Sequence, residues 1–190
     1  MKISARRFFY FALILFVVIP ITLTSGSIQQ KEKDLSKENI LDTVKTVIKA
    51  SKYSFLITLD ESGQPQARVM EPFEPEQDMT IWFGTHKQTR KVKQIQKNSR
   101  ATVTYSDNKG MDYVTLLGEV RLVDDPKLKK KIWNKSWKMF YPGGAEDENY
   151  ILIEFIPHRI EVMSITRNVL RTFFKPEILV RQNSDWIRGE

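Results

Sequence analysis

The chain contains no cysteine, which excludes disulfide frameworks, thiolate metal sites and a cysteine nucleophile. Histidine is nearly as scarce. His86 and His158 are the only two, and neither stands at metal-ligand spacing from the other or from a carboxylate pair, so no metal site is expected. The sequence has no nucleophile elbow, no dinucleotide glycine fingerprint and no nucleotide phosphate loop. Aromatic and basic residues do not alternate as they do in single-strand-binding grooves, so nucleic acid is not an expected partner. Internal repeats and low-complexity tracts are absent too.

What is present fits a folded domain: 190 residues, 41% hydrophobic and 28% charged, enough for one domain with a substantial core. The amino terminus has the pattern of a targeting segment. Lys2, Arg6 and Arg7 precede an apolar run over residues 8–24, and residues 1–27 read as a signal peptide or membrane anchor. The run is long for a secretory core and short for a membrane span. Pro20 and the small residues Ser25-Gly26-Ser27 favour cleavage near residue 27. Arg6-Arg7-Phe8-Phe9 has the look of a twin-arginine signal, which serves proteins exported already folded. Either reading places the domain on the periplasmic or extracellular side, with the N-terminal segment as its only expected membrane contact. The net charge of +7 falls to +4 once the three leader cations are set aside, and its densest source is Lys127, Lys129, Lys130, Lys131, Lys135 and Lys138, read as the solvated face of a helix.

Residues 28–36 read as a linker. Ser36 then caps a helix with Ile40, Leu41, Val44, Val47 and Ile48 on one face. The period changes to that of strands over residues 53–59 and 66–70, a hairpin turning at Asp60 to Gly63, with a third strand over 79–83. After a helix bearing Val92 and Ile95, residues 101–106 and 112–123 form a second hairpin across residues 107–110. Pro126 opens the lysine-rich helix, with Ile132, Trp133, Trp137 and Phe140 as its inner face. Two late strands, 150–156 and 159–165, are expected to turn at Pro157-His158. A strand around Ile178-Leu179-Val180, with Trp186 as an apolar anchor, is expected to pack on the rest. Strands interrupted by a few helices suggest a small antiparallel barrel, mainly β with flanking helices.

Chemistry concentrates between Trp82 and Tyr105. A strand delivers Gly84 and Thr85 towards a helix start carrying Thr89, Arg90 and Lys91. A glycine lets backbone approach a ligand, and a helix start offers unpaired amides and a positive dipole end, an arrangement suited to a phosphate. His86 lies inside this segment as a further candidate contact.

The order Gly84-Thr85, Thr89-Arg90-Lys91, Gln94-Ile95, Asn98 and Arg100 resembles the flavin segment of the pyridoxamine 5'-phosphate oxidase family. Ala67-Arg68-Val69-Met70 looks like that family's first flavin-binding strand, and the run from Tyr113 to Val120 followed by Leu122-Val123 like its flavin-lining strand. The resemblance covers roughly residues 37–164, with the general-stress-protein branch as the nearest in kind. It implies an FMN-binding split β-barrel over residues 37–165, with residues 166–190 as an extension packing on it. Arg68, Arg90 and Lys91 would hold the FMN phosphate, and Val69, Met70, Gly84 and Thr85 would border the ribityl chain and ring. Tyr113 stands where the oxidase places a glutamine against the flavin, from the second subunit of an expected homodimer, and Val114, Leu116, Val120 and Leu122 alternate as one apolar face, the one expected at its seam.

The implied function is that of an FMN oxidoreductase passing hydride at flavin N5 to or from an unknown small substrate. The alternative is a flavin- or haem-binding module that stores or senses its ligand. Three departures argue against a true pyridoxamine 5'-phosphate oxidase: Phe73 replaces a lysine, Met163 replaces a tryptophan, and no arginine-containing substrate motif follows Ser164.

Overall fold

The computed structural model describes residues 35–107, 111–171 and 175–190. The leader, most of the linker, the tip of the second hairpin and Phe173-Phe174 lie outside the described residues. Leu35 and Ser36, placed in the linker by sequence, belong to the folded unit. Leu35 is buried in the core, and the Ser36 hydroxyl accepts a hydrogen bond from the Asn39 amide at the start of helix α1 (Lys37–Ala50). Ile40, Val44, Val47 and Ile48 bury the expected face. Among the described residues no helix is long and apolar enough to cross a membrane.

Strands β1 (Ser54–Leu59) and β2 (Pro65–Met70) form the first hairpin, and β3 (Ile81–His86) leads to helix α2 (Arg90–Lys97). Strands β4 (Arg100–Ser106) and β5 (Tyr113–Val123) form the second hairpin. Helix α3 (Pro126–Lys131), two short 3-10 turns and β6 (Tyr150–Met163) follow, and β7 (Glu177–Gln182) and β8 (Asp185–Arg188) end the chain. The sheet runs β2-β1-β4-β5-β6-β7-β8, all antiparallel, with β3 paired to β6 off that path. A bridge between Pro72 and Phe83 brings the end of β2 against β3, curling the sheet into the expected split barrel around Ile81, Phe83, Leu116, Ile153 and Phe155.

Four expectations are corrected. Pro157-His158 is not a turn: β6 runs through it for 14 residues. Gly118 faces Pro157 while Leu117 faces Arg159, which leaves His158 as the extra residue of a bulge. A bulge admits a proline that the ladder would otherwise reject, and Gly118 is required opposite it, since a Cβ there would lie 2.2 Å from the Ile156 carbonyl oxygen. Second, the lysine-rich helix stops at Lys131 and the 3-10 turn Lys135–Met139 takes over; Trp137 is buried but Phe140 is 66% exposed. Lys129 is not part of a solvated face, because its ammonium is buried between the Asp124 carboxylate at 3.0 Å and the Asp147 carbonyl at 3.3 Å. Third, the tail adds two strands, not one, with Leu179 and Trp186 in the core.

The fourth concerns the dimer face. Val114, Leu116 and Val120 are buried in the barrel, and Leu122 packs against the same core. The face pointing away from the core is the other one, because alternate residues of a strand point to opposite sides. Its register runs Val69, Phe55, Thr104, Thr115, Glu161 and Ile178 in one row, and Ala67, Ile57, Thr102, Leu117, Arg159, Val180 and Ile187 in the next. Val69, Phe55 and Ile187 are among the most exposed large hydrophobic residues described.

Candidate functional site

Arg68, on β2, shares the core-facing side of the sheet with its partner Leu56 and with the buried Thr58. Its guanidinium reaches across towards α2: Nη1 donates to Thr58 Oγ1 at 2.7 Å and to the Leu56 carbonyl at 3.3 Å, and Nη2 donates to Gln94 Oε1 at 2.9 Å. Lys91, in the first turn of α2, donates from Nζ to Thr85 Oγ1 of β3 at 3.0 Å. Burial and the neighbouring Arg90 lower the pKa of Arg68, while burial and Arg68 lower that of Lys91. Arg68, Arg90 and Lys91 thus repel one another across a partly desolvated space, and none of them forms an ion pair among the described residues.

Thr89 stands at the N-cap of α2, yet its hydroxyl makes no cap bond; it is buried without a hydrogen-bond partner. The first amides of α2, at Arg90 and Lys91, have no helical acceptor. Three cations, an unpaired buried hydroxyl and a helix N-terminus form a donor-rich, positively charged set that fits a dianionic phosphate and disfavours a cation. A cleft of about 270 Å³ adjoins it, lined by Arg90, Lys93, Gln94 and Lys97 of α2 and by Asp60 and Glu61 of the first hairpin. A larger cleft of about 410 Å³ between α1 and residues 72–79 contains none of these groups, so charge, not size, marks the site.

Sequence reasoning and structure differ in the details. β3 continues past the expected end at residue 83, through Gly84 and Thr85 to His86. Thr85 faces the cradle, whereas Gly84 faces the other way, towards a cluster of Trp82, Trp137, Tyr141 and Tyr150. A Cβ on Gly84 would meet the Trp137 ring at 2.0 Å, so the close approach that the glycine permits is made by an indole. Trp137 is tied down by its Nε1 donating to Glu71 at 3.0 Å and by edge contact with Phe73. His86 stacks on Tyr141. Met70 is core, Val69 is 56% exposed on the outward face, and Tyr113 shares that outward face, so one chain does not bring Val69 or Tyr113 to the cations. Gln94, Thr58 and Trp137 adjoin the site residues without being among those that sequence assigns to it. Gln94 carried a signal, since it falls within the helix motif; Trp137 lies far from the motif in sequence.

Lys91 makes the cradle pH-sensitive. Its folded-state pKa lies below the ordinary lysine value of about 10.4, so the charged form costs stability at neutral pH. As pH rises from the folded value to the unfolded one, the folded state gives up its proton first and that cost is relieved. Lys91→Met is therefore expected to stabilise the ligand-free protein at pH 7 and to reduce the gain in stability on the alkaline side; denaturant titrations at pH 7 and pH 9.5 check both.

A split barrel with an anion cradle between β2, β3 and a helix start defines a class of phosphate-bearing-cofactor proteins. The chain belongs to the pyridoxamine 5'-phosphate oxidase-like family, whose model matches residues 39–180. It is 26% identical to general stress protein 26 of Bacillus subtilis over 133 residues, which cover 68% of this chain and 92% of that one. The fold matches a Clostridium acetobutylicum protein related to general stress protein 26 with a TM-score of 0.63, at 22% identity over 68% of this chain and 92% of that one. It also matches a pyridoxamine 5'-phosphate oxidase-related, FMN-binding protein of Nostoc punctiforme with a TM-score of 0.58, at 16% identity over 80% of this chain and 93% of that one.

Proposed function

We propose that this chain binds FMN at a seam between two copies of itself and works outside the cytoplasm as a flavin oxidoreductase on a small electron donor or acceptor. The positively charged cradle of Arg68, Arg90, Lys91 and Thr89, with no carboxylate paired to it among the described residues, is the observation that carries the reading. Bound FMN supplies two-electron chemistry at N5 of its ring, and the residues here hold and orient it. Ser164 is committed to structure, its hydroxyl donating to the buried Asp112 at 2.6 Å, and Met163 is buried; both support a substrate other than pyridoxamine 5'-phosphate. The purified protein is expected to show flavin absorption that a reductant bleaches and an acceptor restores. A colourless protein or a Soret band would overturn the reading.

The outward rows from Val69 to Ile178 and from Ala67 to Ile187 support the dimer, since Tyr113 and Val69 lie on that outward face. Phe55→Glu combined with Val69→Asp is expected to give a folded monomer by sedimentation, with flavin lost. A variant that stays dimeric would exclude this face. For the export route, Arg6→Lys with Arg7→Lys is expected to block export if the chain leaves the cell folded, and to leave it unchanged if the general pathway carries it.

A further inference from the structure

Arg68 is held entirely by neutral acceptors. Gln94 Oε1 receives two hydrogen bonds, from Arg68 Nη2 at 2.9 Å and from the Thr58 hydroxyl at 2.6 Å, and the same Thr58 oxygen accepts from Arg68 Nη1 at 2.7 Å. The three groups close a ring of hydrogen bonds that fixes the guanidinium in the wall of the cradle. Five other arginines are oriented by carboxylates: Arg121 pairs with Glu154, Arg159 with Glu161, Arg167 with Asp112, Arg181 with Asp78 and Arg188 with Glu177, while Arg171 donates to the Gly189 carbonyl. A glutamate at position 94 would have the same reach as the glutamine and would grip the guanidinium more strongly, since it adds the attraction of opposite charges to the hydrogen bond. Lys91 follows the same pattern, resting on the Thr85 hydroxyl.

A neutral acceptor orients a cation without neutralising it. We propose that Gln94 is a specificity-determining positioning residue: it locks Arg68 in place while leaving the cradle's full positive charge for a dianionic phosphate, so that the site takes FMN and discriminates against riboflavin. This rests on the phosphate assignment above. The rival account gives Gln94 only a packing role between α2 and β1, in which case the charge at position 94 is immaterial to the ligand.

The test is Gln94→Glu, with Gln94→Met as a neutral companion of similar size. In Gln94→Glu the ligand-free protein is expected to melt at or above the temperature of the unmodified protein, because Arg68 gains an ion pair. FMN affinity is expected to fall at least tenfold while riboflavin affinity stays within twofold, so that the FMN-to-riboflavin ratio falls. Gln94→Met, which loses the orientation but keeps the charge, is expected to lose less FMN affinity than Gln94→Glu. Unchanged FMN affinity in a folded Gln94→Glu protein overturns the proposal, as does an equal or larger loss in Gln94→Met. Failure of Gln94→Glu to fold overturns it too, since the argument requires Arg68 to accept a carboxylate there. Arg90→Ala with Lys91→Ala separates the two levels: if that variant also keeps FMN, the phosphate site itself is misplaced, whereas if it loses FMN and Gln94→Glu does not, only the role of Gln94 is wrong.

Discussion

Replacing Arg90 and Lys91 together by alanine is expected to weaken FMN binding roughly a thousandfold, from two charge-assisted contacts of about 2 kcal/mol each. The fold should survive, because Arg90 is exposed and Lys91 only half-buried, and neither belongs to the hydrophobic core. Stability of the ligand-free protein should hold steady or rise, since the substitution removes two members of a cluster whose charges repel. Riboflavin, lacking the phosphate, should bind the variant and the unmodified protein alike. Fluorescence titration with FMN and riboflavin, alongside circular dichroism, checks all three. A folded double variant that holds FMN at near-normal affinity would sink the phosphate assignment.

The second large effect is expected at Gly84. An alanine methyl there would sit 2.0 Å from one atom of the Trp137 ring and 2.7 Å from the Tyr150 ring, and neither side chain is free to withdraw. Trp137 is bound to Glu71 and packed between Phe73, Trp133 and Tyr150, and Tyr150 is wholly buried. Overpacking of this kind costs about 3 kcal/mol, or roughly 6–12 °C in Tm for a chain of this size. Trp137→Leu alone should cost a similar amount through the cavity it leaves. Combined, the two should cost clearly less than their sum, because the leucine vacates the volume that the methyl needs; coupling of about 1 kcal/mol or more is expected. Additive losses would mean that Gly84 is required for a reason other than the indole.

Local patterns told the truth wherever a single segment decides the outcome. Ser36 and the spacing of Ile40, Val44 and Val47 fix α1, and the motif from Thr89 to Gln94 marks the cradle because its residues share one helix. The misreadings have a common cause in interactions between distant segments. Pro157-His158 looks like a turn until Gly118 is set opposite it to make a bulge. Val114 and Leu116 alternate correctly, but alternation alone cannot say which side of a strand meets the core and which meets a partner. Gly84 reads as a place for ligand because nothing in its neighbourhood announces Trp137. The bond between Arg68 and Gln94 likewise joins two elements whose adjacency only the barrel creates.

The pairing of β3 has a consequence for the order in which the molecule assembles. In backbone pairing β3 meets the earlier part of the chain, among the described residues, through the contact of residues 72–73 with Trp82 and Phe83, and its full ladder is made with β6, Thr85 lying opposite Ile151. On a ribosome the strand that anchors Lys91 therefore waits for the last third of the protein, since non-local pairing cannot precede the segment that supplies it. Arg68 and Gln94 can meet early, but the cradle is incomplete until β6 arrives. A chain threaded unfolded across a membrane would reach the far side before the cradle exists and would have to find its flavin there; one that crosses folded could carry the flavin with it. If the chain is exported, its dependence on β6 thus ties the compartment that supplies the cofactor to the route of export.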